Sequence, residues 1–265
     1  MFYRIKTLIL FLILLSQLTF LGCGKKLEGI EENIIFSIRE GYQSYNTISE
    51  PKIFLFMATE KENHCCADSI VAEVSISGDT IFIELLGIYL PEVRPRAFGP
   101  ATAISFLDIP NGDYTVYFFN NGQTDTYVLT VTDGYISISK KVSHFTIPEF
   151  TLFWRYPSNT FAYLCGTTTA TTWICEDFLD TLLSRVNLQE FIFADSGEIP
   201  YPKASMGYYY DMPAKYFHYD NEDDFEEAGE ILTTYTHNVI NQYQGIGIQL
   251  INWKNKRYYS WLVED

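Results

Sequence analysis

The chain has 265 residues, and its 33 Asp and Glu outweigh 18 Lys and Arg, for a formal net charge of −15. A surface this acidic, with no basic stripe along the sequence, repels nucleic acid and anionic membranes, so nucleic acid is excluded as a partner. Aromatics make up 17% of the residues, with 20 Tyr and 20 Phe, which is ample for cores and leaves Tyr to spare for a binding surface.

Arg4 and Lys6 precede an unbroken apolar run at residues 8–15. A charged start and a run of that length suit a secretory signal and fall short of the ~20 residues that span a bilayer. The sequence Phe20-Leu21-Gly22-Cys23 follows. It resembles the lipobox of bacterial lipoprotein signal peptides, in which a small residue precedes a cysteine that is lipidated and becomes the new N-terminus. The resemblance implies a signal peptide at residues 1–22 and lipid on Cys23. It also implies a membrane as partner through that lipid, and a place in the bacterial cell envelope on the periplasmic or cell-surface side. Two positions depart from the usual lipobox, Phe20 where Leu is common and Leu21 where a small residue is common. The alternative is an uncleaved anchor.

Leu27, Ile30, Ile34 and Ile38 fall at helical spacing, interrupted by Gly29 and Gly41. Residues 23–50 are therefore expected to form a lipidated tether or a short first element. From Pro51 the pattern changes to strands, at residues 52–57, 69–75, 80–86, 102–107, 114–119, 127–131 and 135–139. Seven short strands separated by Gly, Asp and Asn turns predict an antiparallel β-sandwich over residues 51–145. Within it, Ile109-Pro110-Asn111-Gly112-Asp113-Tyr114, followed by Val116, resembles the turn-plus-tyrosine segment of fibronectin type III and immunoglobulin-like domains. The resemblance implies that the Tyr114 hydroxyl returns to backbone upstream and pins the corner.

Residues 146–265 mix strands with helices. Residues 150–156 and 160–164 suggest a hairpin. Trp173, Ile174, Phe178, Leu182 and Val186 form a helical stripe, with the Thr run at 167–172 placed to cap it. Another apolar strand follows at 188–194, then a Pro-, Gly- and Tyr-rich loop at 195–219. Phe225, Ala228, Leu232, Tyr235, Val239 and Tyr243 mark the strongest helix. Asn221 and Asp224 resemble a capping box at its start, and Gly245 is placed to stop it. The last strands, 246–251 and 257–263, turn at Trp253-Lys254-Asn255-Lys256. The predicted fold is thus two-domain: an all-β immunoglobulin-like sandwich, then an α+β domain with an antiparallel sheet and two helices.

After Cys23 four cysteines remain, Cys65, Cys66, Cys165 and Cys175, an even number that reads as disulfides in an exported protein. Cys165 and Cys175 are close enough in sequence to staple a strand end to a helix start; pairing of each with Cys65 or Cys66 is the alternative. No metal is expected. His64 next to Cys65 and Cys66 lacks the ligand spacing of structural zinc, and the acidic run at 220–227 lacks the spacing of a calcium loop. No cofactor-binding or nucleophile motif is present, so no catalytic residue is assigned.

The candidate binding residues are Tyr208, Tyr209, Tyr210, Tyr216 and Tyr219, because Tyr offers large area, a polar tip and few rotors. The expected function is that of a cell-envelope lipoprotein acting as a non-catalytic binding or assembly module for a glycan, peptide or protein. The alternative is an envelope hydrolase of glycan or peptide, with an acid–base pair the sequence does not single out. Cys23→Ser is expected to abolish lipidation and move the protein from the detergent phase to the aqueous phase on detergent phase separation. Retention in the detergent phase would show that the apolar run is itself the anchor.

Overall fold

The structure is a computed structural model and describes residues 29–262 apart from 63, 94 and 96. The signal segment and Cys23 lie outside the described residues. In chain order the first elements are β1 (Ile34–Gly41), β2 (Lys52–Thr59), β3 (His64–Cys65), β4 (Ser69–Ser77), β5 (Thr80–Tyr89) and β6 (Phe98–Gly99). β7 (Thr102–Phe106), β8 (Gly112–Asn120), β9 (Gln123–Val131), β10 (Tyr135–Val142), β11 (Thr146–Pro148) and β12 (Leu152–Trp154) follow. The rest comprises β13 (Thr160–Thr167), α1 (Trp173–Leu183), β14 (Leu188–Phe191), β15 (Tyr210–Asp211), β16 (Lys215–Tyr219), α2 (Glu222–Asn238), β17 (Gly247–Asn252) and β18 (Arg257–Tyr259). Among the described residues no helix is long and apolar enough to cross a membrane.

Ten strands make the first sheet, in the order β11-β1-β2-β7-β4-β5-β8-β9-β10-β12. Its two edges, β11 and β12, are separated in sequence only by residues 149–151. So short a link joins opposite edges only if the sheet curls until they meet, and one face becomes an enclosed core. Alternation fills that core. Phe36 of β1 packs its ring 4.6 Å from Phe118 and 5.0 Å from Tyr127, all three fully buried. Burying each such ring stabilises the fold by about 1.5–3 kcal/mol.

Three expectations are corrected here. First, the tether ends before residue 34, because Ile34, Phe36 and Ile38 form the buried face of β1, paired along its whole length with β2. Ile30, Ile34 and Ile38 recur every four residues, an interval that suits a helical stripe and strand alternation alike. Second, residues 146–154 belong to the first sheet. The segment around 150–156 pairs with β10, and not with residues 160–164 as a hairpin. Third, the sheet is not wholly antiparallel: β1–β11, β4–β7 and β5–β8 are parallel pairs. Parallel neighbours need a crossover, and between β5 and β8 the chain supplies one through β6 and β7. The expected corner is present. Tyr114 is only 7% exposed, and its hydroxyl donates to the Pro110 carbonyl at 2.8 Å.

The second sheet is antiparallel, in the order β14-β16-β13-β17-β18, with β15 also on β13. Two helices cover one face, as the sequence predicts. Asn221 and Asp224 form the capping box of α2. α2 stops at Asn238, however, and not near Gly245: Val239 leaves helical dihedrals and a short 3-10 turn, Ile240–Gln242, follows. The Thr run does not cap α1 through Thr172, which makes no side-chain capping bond. Thr171 instead bonds Thr167 and Thr168, at 2.8 and 2.7 Å. Cys165 and Cys175 form the expected disulfide, with Cα atoms 5.9 Å apart, and Cys65 and Cys66 are free.

The curl depends on the turn between β10 and β11. There the Asp125 carboxylate, fully buried on β9, accepts from the backbone N–H groups of His144, Phe145 and Thr146 at 2.6, 3.1 and 2.7 Å. It also accepts from the Thr146 hydroxyl. Buried donors left without an acceptor cost about 1–3 kcal/mol each. Asp125→Ala, which strands the buried N–H groups of Phe145 and Thr146, is expected to lower unfolding free energy by about 3 kcal/mol in a urea titration. A loss below about 1 kcal/mol, the usual net value of one hydrogen bond, would show that the turn holds itself.

Candidate functional site

β13 and β17 run side by side with Gly166 opposite Gly247 and Leu164 opposite Gln249. Phe161, Tyr163 and Cys165 of β13, and Ile248 and Leu250 of β17, pack in the core beneath the helices. Leu164, Gly166, Gly247 and Gln249 therefore point to the opposite face. The two glycines make a flat step there, and the Tyr208 ring lies on it. A Cβ on Gly166 would come within 2.1 Å of that ring, and one on Gly247 within 1.7 Å of its hydroxyl oxygen. Glycine inside a strand commonly marks such a close approach.

Beside Tyr208 the face opens into a cleft of about 650 Å³, lined by Leu164, Pro202, Ser205, Met206, Gln249 and Trp261 among others. Asp211 holds the near wall. Its carboxylate accepts from the Ser205 hydroxyl at 3.0 Å and from the Tyr208 N–H at 3.4 Å. Met212 N–H donates to the carbonyl of Cys165 at 3.0 Å, which ties this loop to the disulfide-bearing strand. Met206 (88% exposed) and Trp261 (49% exposed) form the rim. Burial, and then the Asp211 charge, push the Tyr208 hydroxyl above its ordinary pKa. It therefore stays a neutral donor through the physiological range.

An aromatic ridge leads away from the cleft along β18. Tyr259 shares the face of its partner Gln249, and its ring lies 4.8 Å from that of Trp261. Its hydroxyl meets that of Tyr45 at 3.2 Å. The Arg257 guanidinium caps the Tyr45 ring at 3.7 Å.

The five tyrosines singled out from sequence divide. Tyr208 lines the cleft, while Tyr209 and Tyr210 are exposed beside it. Tyr216 and Tyr219 are buried, which corrects their assignment to a surface. They lie on β16, an inner strand covered on both faces, where every residue from 216 to 219 except His218 is core. Tyr216 stacks on Tyr201 at 5.8 Å and donates to the Pro202 carbonyl at 3.0 Å; Tyr219 stacks on Phe225 at 5.8 Å. Burial pushes both hydroxyls up to about 12. Trp261, Met206 and Gln249 were not singled out from sequence. The one sequence signal for the site is the glycine inside each apolar strand, at 166 and 247.

Among the described residues no group of three or more His, Cys, Asp or Glu side chains is placed to hold a metal ion. No protein-family model, no curated protein and no solved structure matches this chain.

The glycine step yields a test. Gly247→Ala drives a methyl group into Tyr208 and is expected to cost about 1–3 kcal/mol, as overpacking does. In a Tyr208→Ala background most of that cost should vanish, measured as a double-mutant cycle in denaturant. Equal cost in both backgrounds would mean that Tyr208 does not rest on the step.

Proposed function

We propose that this protein is a lipid-anchored binding module of the bacterial cell envelope that takes an uncharged glycan in the Tyr208–Trp261 cleft. The two sheets serve as two domains, the first as a spacer and the second as the reader. One observation carries the reading: an open cleft with aromatic rings on its wall and rim, Ser205 and Gln249 as uncharged hydrogen-bonding groups inside it, and one charged lining residue, Lys203, whose ammonium is paired with Glu198 at 2.8 Å. Rings accept the apolar faces of sugars, and neutral polar groups pair with their hydroxyls. The acidic surface disfavours anionic ligands.

The rival reading is a glycan hydrolase. Glycoside hydrolysis uses two carboxyl groups flanking the bond, and among the described residues the one carboxylate at this cleft is that of Asp211, already engaged by Ser205 and Tyr208. That favours binding without turnover.

Titration with a panel of neutral oligosaccharides, followed by tryptophan fluorescence, is expected to show saturable binding. Trp261→Ala should weaken that binding about tenfold, which corresponds to ~1.4 kcal/mol. The melting temperature should hardly move, because Trp261 is half exposed. No binding across the panel, or full affinity in Trp261→Ala, would remove the cleft as the site. Shortened sugars among the products would move the protein to the hydrolase class.

A further inference from the structure

One pole of the first sheet gathers exposed apolar side chains at the place where the chain enters the described structure. Gly29 N–H donates to the Leu86 carbonyl at 3.1 Å. Ile30 and Asn120 exchange two hydrogen bonds, Ile30 N–H to Asn120 Oδ1 at 2.9 Å and Asn120 Nδ2 to the Ile30 carbonyl at 2.8 Å. The start of the described chain is thereby fastened where β5 and β8, parallel neighbours, both end. The crossover after β5 leaves from the same pole and carries Tyr89, Leu90, Val93 and Phe98, all exposed, Val93 at 86% and Phe98 at 81%.

That crossover is held in place. Phe98 pairs with Cys65 and Gly99 with His64, and Cys66 N–H donates to the Ala97 carbonyl at 3.0 Å. Large apolar side chains presented on a fastened loop mark an interaction surface.

Chain length identifies what that surface meets. Cys23 and Gly29 are six residues apart, and an extended chain spans at most ~3.6 Å per residue, so the pole lies within ~22 Å of a lipid carried by Cys23. The opposite pole faces away. β1 ends there at Gly41, and the following loop joins the second sheet, with Tyr42 donating to the Trp253 carbonyl at 2.7 Å and Ser49 N–H to that of Lys254 at 3.0 Å.

We propose that the pole formed by the β5–β7 crossover lies on the bilayer surface, with Val93 and Phe98 entering the headgroup layer as a second attachment beside the lipid. This rests on the lipoprotein reading. Exposed Lys61, Lys140 and Lys141 share this pole with exposed Glu31, Glu60, Glu62 and Glu92, and the crossover sequence itself carries Arg94 and Arg96, so charges of both signs surround the apolar side chains. Seated this way, the first sheet holds the Tyr208–Trp261 cleft away from the membrane.

The test uses the full-length lipidated protein on phosphatidylcholine vesicles. Flotation of the parent but not of Cys23→Ser checks the anchor by itself. Phe98→Trp and Val93→Trp report the pole, and Asn46→Trp, on the exposed loop at the opposite pole, is the reference. With brominated phosphatidylcholine, the emission added by the Trp at 98 or 93 is expected to fall by half or more, and that added at 46 to stay unchanged. Absence of quenching at both 98 and 93 in protein that floats overturns the proposal and leaves the anchor standing. Failure of the parent to float overturns both. Flotation of Cys23→Ser with quenching at 98 or 93 would overturn the lipid anchor and support the pole as the attachment.

Discussion

The rest of the structure depends on the buried carboxylate of Asp125. A ten-stranded sheet with free edges exposes a long row of unpaired backbone groups and has no reason to enclose a core. Asp125 collects three backbone N–H groups and a hydroxyl from the turn after β10, and Tyr127 on the same strand donates to the Thr146 carbonyl at 2.8 Å. Together they send the chain across to β1 as β11. Residues 149–151 then bring it back to β10 as β12. The curl, the enclosed aromatic core and the position of everything after residue 154 follow from that crossing.

The next joint in the chain is ionic. Glu40, at the end of β1, accepts from Nε and Nη2 of Arg155 at 2.7 Å each and from the Tyr156 N–H at 2.9 Å. Arg155 also donates to Asn111 and to the Thr132 carbonyl, at 2.8 and 2.6 Å. This charge-assisted pair puts both guanidinium contacts on Oε1 and leaves Oε2 for the Tyr156 N–H. It orients the chain as it leaves the first sheet, and the loop after Gly41 adds a second contact, with Asn255 donating to the carbonyls of Tyr45 and Thr47 at 2.8 and 3.0 Å. These contacts bring Tyr45 beside Tyr259 and so extend the ridge beyond the cleft. The proposed site therefore draws on residues more than two hundred positions apart.

Much of the architecture was legible in the residues because it is written in local periodicities. Alternating runs located most strands of the first sheet. The stripe through Phe225, Ala228 and Leu232, with Asn221 and Asp224 before it, located α2 and its cap. The spacing of Cys165 and Cys175 suggested their bond, and the turn before Tyr114 its corner. Where two periods coincide the residues were ambiguous, as at Ile30, Ile34 and Ile38. Where a strand is buried on both faces, as at Tyr216 to Tyr219, an aromatic run looks the same whether it lies in a loop or a core.

By itself the sequence determined most strands of the first sheet, both helices with the cap of α2, and an acidic, aromatic-rich composition, and it suggested the Cys165–Cys175 bond, because these rest on neighbours within a dozen positions. Tertiary structure alone decided which tyrosines face solvent, how the sheet closes on itself, and that Gly166 and Gly247 lie side by side beneath Tyr208 with Trp261 at the rim. Those facts depend on strand order and register. A register is set by the summed packing of a whole sheet, and no local pattern contains it.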